Sequence, residues 1–226
     1  MNIIISGASK GIGAEVVRQL DAAGHQCLAL ARNGALLADL KKECKQLKTA
    51  TIDLNSGELA EVLMPIFEEW KKVDIIINNA GQLINKPFIR TSPSDFIDQF
   101  KANVLTAVNL IQAATPFLVK GSHIVNISSM GGINGSSKFP GLSAYSTSKG
   151  GLTTLSECLA EEYKEIGVQV NTLALGSVQT EMLQKAFPGY QASVSPKEMA
   201  EYIVDFSLRG NKYFNGKTLA VAIDTP

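Results

Sequence analysis

A chain of 226 residues with 45% hydrophobic and 19% charged residues and a formal net charge of +0 has the balance of a globular domain. The even charge excludes the electrostatic footprint of a nucleic-acid or anionic-membrane binder, and no run approaches the roughly 18 apolar residues of a membrane span. A small molecule is the expected partner.

Short apolar runs alternate with amphipathic stretches along the chain, the pattern of βα units and a largely parallel sheet. Seven strands are predicted, at 2–6 (NIIIS), 26–31 (QCLALA), 48–53 (KTATID), 73–78 (VDIIIN), 122–128 (SHIVNIS), 168–175 (VQVNTLAL) and 217–223 (KTLAVAI). Between the first two, Ile12, Val16, Val17, Leu20 and Ala23 recur at helical spacing and Gly24 is placed to stop the helix. Leu59, Val62, Leu63, Ile66, Phe67 and Trp70 make a second apolar helix face. Ser92, Pro93 and Asp95 supply a cap, a first-turn proline and an acid to one long helix through about Leu118. Ser195, Pro196 and Glu198 repeat that signal before the last strand. Residues 130–143 and 176–195 read as the longest loops. The start of the chain enters its first strand without a basic leader, so a cytoplasmic location is expected. Cys27, Cys44 and Cys158 stand at no metal-ligand spacing and are expected as buried thiols; His25 and His123 are isolated, and no metal site is expected.

The first chemical signal is SGASKGIG at 6–13. It follows a strand and opens a helix, so Gly7, Gly11 and Gly13 let the backbone approach a diphosphate, whose charge faces the amides of the helix N-terminus. At the end of the second strand, where an acid would bond a ribose 2′-hydroxyl, ALARN carries none. Arg32 and Asn33 stand there instead, and Lys10 adds a cation inside the glycine loop. A 2′-phosphate suits this pair of cations and a hydroxyl does not, which favours NADP(H) over NAD(H).

SGASKGIG, NNAG at 78–81, KANV around Asn103, IVNISS at 124–129 and YSTSK at 145–149 together resemble the short-chain dehydrogenase/reductase superfamily, in its compact single-domain branch. The resemblance implies an α/β Rossmann-like doubly wound sheet of seven mainly parallel strands with helices on both faces, spanning residues 1–226 as one domain. It implies hydride transfer between a nicotinamide and a carbonyl or alcohol substrate, and a homotetramer or homodimer. Two Tyr-Lys pairs share the same spacing, Tyr145 with Lys149 and Tyr213 with Lys217. Only the first follows a Ser-bearing strand and lies on a helix, where positions four apart share a face. Tyr213 is read as a packed or interface aromatic.

Carried over residue by residue, the resemblance makes Tyr145 the proton donor to the carbonyl oxygen and Ser129 the hydroxyl that polarises it. Lys149 is the cation that activates the phenol and holds the nicotinamide ribose, and Asn103 the amide anchoring a relay water. A phenol near pKa 10 has to come down by about 3 to exchange a proton near neutrality, which is about 4 kcal/mol. An ammonium about 4 Å away at an effective dielectric near 20 supplies about that much. The remaining implied cofactor contacts are Ser9 and Ile12 in the glycine loop, Asp53 and Leu54 ending the third strand, Asn79, Ala80 and Gly81, and Val178 with Thr180. Leu175 stands where the family usually has proline, which leaves the rigidity of that loop open. Met182, Leu183, Phe187 and Tyr190 form either an apolar flap or the core face of a short helix. The alternative to an enzyme is a non-catalytic NADP(H)-binding sensor, which has no need of the Asn103, Ser129, Tyr145 and Lys149 quartet.

Overall fold

In the computed structural model, residues 1–223 are described; residues 224–226, the end of the span expected as one domain, lie outside the described residues. Seven strands form one sheet in the order β3-β2-β1-β4-β5-β6-β7. They are β1 (Asn2–Ser6), β2 (Gln26–Ala31), β3 (Leu47–Thr51), β4 (Val73–Asn78), β5 (Leu118–Ser129), β6 (Gln169–Leu175) and β7 (Thr218–Val221). Every neighbouring pair is parallel. Parallel strands are covered on both faces, which is why they read as unbroken apolar runs. Side chains of β1 alternate between the two layers. Ile3 and Ile5 pack with α1 (Gly11–Ala22), α2 (Gly34–Glu43) and α8 (Pro196–Arg209), while Ile4 packs with α3 (Leu59–Trp70), α5 (Thr106–Ala114) and α6 (Ser143–Glu162). The chain order reverses between β1 and β4, and the carboxyl ends of these strands open the crevice that holds the site.

The two predicted capping boxes are present. Ser92 and Asp95 start α4 (Pro93–Phe100), and Ser195 and Glu198 start α8, each with reciprocal side-chain and backbone bonds. Four expectations are corrected. The long helix from 92 to 118 is α4, then a π turn over Lys101–Leu105, then α5, which ends at Ala114; a short 3-10 turn leads into β5 at Leu118. The third strand stops at Thr51, before Asp53. Helix α2 was not anticipated, although Asn33 caps it by accepting from the Leu36 N–H at 3.1 Å. Of the three thiols Cys27 alone is buried; Cys44 is half-buried and Cys158 exposed.

His123 on β5 is buried, with Nδ1 2.9 Å from the Ser207 carbonyl oxygen and Nε2 3.0 Å from the Asn171 amide nitrogen. Burial pushes its pKa down to about 4. The unfolded chain therefore takes up this proton more readily than the folded one between about pH 6.5 and 4. Stability from this group is complete above that window and falls with pH through it, by about 3 kcal/mol at its acid end. Urea unfolding across the window is expected to show this loss, and His123→Gln to flatten it.

Candidate active site

The crevice is a cleft of about 1820 Å³ lined by the glycine loop, the ends of β2, β4, β5 and β6, and the segment after β6. It brings together Gly7, Ser9, Lys10, Gly11, Ile12, Arg32, Asn33, Asp53, Leu54, Asn79, Ala80, Gly81, Asn103, Ser129, Tyr145, Lys149, Val178 and Thr180 among its walls. Gly13 lies just behind, buried at the start of α1.

Helix α1 begins at Gly11 with Lys10 as its N-cap, and no side chain caps it, so its first amide groups face the cleft. The loop before it is drawn tight. The Asn79 amide donates to the Ser6 and Gly7 carbonyl oxygens at 3.2 and 3.1 Å, and a Cβ at Gly13 would stand 2.4 Å from the Gly7 oxygen. A tightly drawn backbone loop at an uncapped helix N-terminus fits a dinucleotide diphosphate. A dinucleotide held there would, if it carried a nicotinamide, supply a hydride.

The floor is built by β5 and α6. β5 ends at Ser129, and the next residues turn back against α6 so closely that a Cβ at Gly132 would lie 2.8 Å from the Lys149 carbonyl carbon. That approach sets Ser129 beside the first turns of α6, which carry Tyr145 and Lys149. Ser128 Oγ donates to the Lys149 carbonyl oxygen at 3.0 Å and fixes the helix against the strand. Lys149 Nζ donates to the Ile127 carbonyl oxygen at 2.7 Å and stands 6.0 Å from the centroid of the Tyr145 ring. Lys149 is 5% exposed and, among the described residues, pairs with no carboxylate. Burial brings its pKa down to about 8. An ammonium so placed costs stability, and such costs concentrate at functional sites.

Several of these residues make contacts within the protein that their motifs do not announce. The Tyr145 pKa is raised by burial, with the nearby Ser129 hydroxyl pulling the other way, so the expected lowering by the Lys149 ammonium is not the dominant influence. Asn103 sits in the π turn, and its amide is engaged at both ends. Oδ1 accepts from the Gln82 N–H at 2.8 Å, while Nδ2 donates to the Gln82 carbonyl oxygen and to Ser148 Oγ, each at 2.9 Å. The side chain thus fixes the Gln82 backbone. Asn33 spends its side chain on the α2 cap, Asp53 accepts from the Asn55 N–H at 2.9 Å, and Lys10 Nζ pairs with Glu181 at 2.5 Å. Arg32 is exposed and, among the described residues, makes no ion pair.

After β6 the chain is held despite Leu175 in place of proline, because the Gly176 N–H donates to Val221 at 2.9 Å and Val178 bridges Val194. The short helix α7 (Glu181–Ala186) covers the cleft, and none of its residues is buried. Met182, Leu183, Phe187 and Tyr190 line the cleft instead of forming a core. Tyr213 is 79% exposed and so not packed, and Lys217 uses its N–H on Asn171 Oδ1 at 3.1 Å; neither lines the cleft. Gln82, Leu83, Phe139, Leu142 and Gln179 also line it and were not singled out in the sequence, where only their neighbourhood to the motifs marked them.

The short chain dehydrogenase family profile matches residues 1–191. The chain belongs to the short-chain dehydrogenase/reductase superfamily. Among relatives of this superfamily, the Sus scrofa protein named carbonyl reductase (NADPH) 2 is 30% identical over 186 residues, covering 80% of this chain and 73% of that one. L-xylulose reductase of Bos taurus is 30% identical over 187 residues, covering 81% and 74%. A solved short chain dehydrogenase of Salmonella enterica superposes with a TM-score of 0.87 at 26% identity, covering 97% of this chain and 94% of that one. The short-chain dehydrogenase/reductase assignment makes this chain an oxidoreductase with a nicotinamide cofactor and a Rossmann-like sheet. Among the described residues, no helix is long and apolar enough to cross a membrane.

Proposed function

We propose that the protein is an NADP(H)-dependent reductase of a carbonyl compound, or the corresponding alcohol dehydrogenase, with Tyr145 as its acid and base. The observation that carries this reading is the buried Lys149, which pairs with no carboxylate among the described residues, beside Tyr145 and Ser129 in a cleft lined by the glycine loop. A sensor has no need to keep that lysine together with a donor phenol and a serine hydroxyl.

In this reading the Tyr145 hydroxyl gives its proton to the carbonyl oxygen while the carbonyl carbon accepts the hydride, and Ser129 Oγ donates a hydrogen bond to the same oxygen. A phenol with a raised pKa stays protonated at neutral pH, which suits the reducing direction. Lys149, charged below about pH 8, offsets the negative charge left on the phenolate before water restores the proton. Phe139, Leu142, Met182, Leu183 and Phe187 give the substrate an apolar wall. The chain of 1–226 is taken as one catalytic domain, cytoplasmic, acting as a homodimer or homotetramer. Exposed Phe88 and Ile89, at 71% and 90%, support self-association.

NADP(H) is favoured because Arg32, at the end of β2, has its guanidinium free of acids among the described residues, where a 2′-phosphate would meet it. Arg32→Ala is expected to weaken NADPH about tenfold or more and NADH by less than about twofold, read by fluorescence titration. Equal losses would remove the 2′-phosphate role. A panel of ketones, aldehydes and sugars followed by NADPH absorbance tests the reaction itself; oxidation of NADPH by none of them would count against the enzyme.

A further inference from the structure

Lys10 and Glu181 are 171 residues apart in sequence and meet across the mouth of the cleft. Lys10 belongs to the glycine loop, at the N-cap of α1. Glu181 is the first residue of α7, the helix over the cleft. The pair is solvent-accessible, with side chains 52% and 61% exposed, so it is weak and readily exchanged. Glu181 has a second cation within range, Lys185 one turn along α7, and so is not stranded when Lys10 leaves. The far end of α7 is held separately by Asn85 Nδ2, which donates to the Ala186 carbonyl oxygen at 2.8 Å. Among the described residues, the Glu181 end is the one tied by a hydrogen bond to the cofactor loop.

We propose that Glu181 is a specificity-determining residue, which holds Lys10 and thereby opposes the binding of a phosphate-bearing cofactor relative to its dephospho form. The inference rests on the NADP(H) reading above and deepens it. A 2′-phosphate carries nearly two negative charges and competes with the single carboxylate for Lys10. An adenosine with a free 2′-hydroxyl does not compete, and leaves the ion pair in place. Glu181 thus narrows the preference for NADP(H) that Arg32 and Lys10 create, and couples the cofactor's phosphate to one end of the helix over the substrate.

The test is a set of fluorescence titrations with NADPH and NADH at low salt on the wild type, Glu181→Gln, Lys10→Met and the double variant. Glu181→Gln is expected to tighten NADPH by about 2- to 5-fold, the strength of an exposed ion pair, and to leave NADH unchanged within error. In the Lys10→Met background the same substitution is expected to change neither cofactor, since the coupling runs through that one contact. Hydrogen exchange at 181–184 is expected to rise more with NADPH than with NADH bound. The inference fails if Glu181→Gln shifts both cofactors alike, shifts neither, or keeps its effect without Lys10. If Arg32→Ala and Lys10→Met lower the NADPH to NADH preference while Glu181→Gln does not raise it, the NADP(H) reading stands and the Glu181 role alone falls. If none of the three alters the preference, the NADP(H) reading falls with it.

Discussion

Tyr145→Phe is expected to lower carbonyl reduction by roughly 10²- to 10⁴-fold while NADPH continues to bind, the range that positioned proton donors contribute. The substitution removes one oxygen and keeps the ring, so the packing of α6 against β5 and the buried Lys149 are left as they are. What goes is the proton that would meet the carbonyl oxygen as charge develops on it. Ser129 remains, but a serine hydroxyl that keeps its proton cannot neutralise an alkoxide. The measurement is steady-state turnover with whichever carbonyl compound the panel identifies, beside a fluorescence titration of NADPH. Turnover equal to the wild type would dismiss Tyr145 as the acid, and loss of NADPH binding would point to a disturbed fold instead. The raised pKa of the phenol adds a direction to this: the oxidising reaction, which starts from phenolate, is the one favoured by alkaline pH.

Gly13→Ala is the second large effect. The added methyl would stand 2.4 Å from the Gly7 carbonyl oxygen and 2.6 Å from the Asn79 amide nitrogen, inside the bond that draws the glycine loop against the end of β4. Neither neighbour is the free end of a flexible chain. Gly7 is backbone, and Asn79 is already committed to Ser6 and Gly7. Relief requires the loop to move outward from α1, which spoils the spacing of the first helical amides around a diphosphate. Crowding of a packed site costs about 1–3 kcal/mol, so NADPH affinity is expected to fall by about tenfold or more and the melting temperature by several degrees. A variant that binds NADPH as the wild type does would show that the loop tolerates the opening.

Most of the fold was legible because parallel strands have no solvent face to interrupt them. Ile3, Ile4 and Ile5 are all fully buried, on two different layers. The capping boxes at Ser92 and Ser195 are local chemistry and were equally plain. The π turn was not. Residues 101–105 contain neither Gly nor Pro, and the bonds made there, from Asn103 to Gln82 and from Asn55 to the Lys101 oxygen, join segments that a helical pattern does not connect. The motifs marked residues that the fold gathers in one cleft, but not their electrostatics. Spacing put an ammonium near a phenol, while the fold turned Lys149 Nζ toward the Ile127 oxygen and let desolvation govern both groups. Glu181 escaped notice because its partner lies at the opposite end of the chain.

The widened turn at Lys101–Leu105 carries one residue more than an α turn, and so takes up that residue while the helix faces before and after it stay in register. Leu110, Ile111 and Ala114 keep facing the sheet they cover, and Asn103 is at the same time presented to Gln82. A deletion inside these five residues would therefore spare the layer beneath the strands and fall on the floor of the cleft, whereas a deletion further along the helix, with no widened turn to absorb it, would rotate the covering face by about 100°.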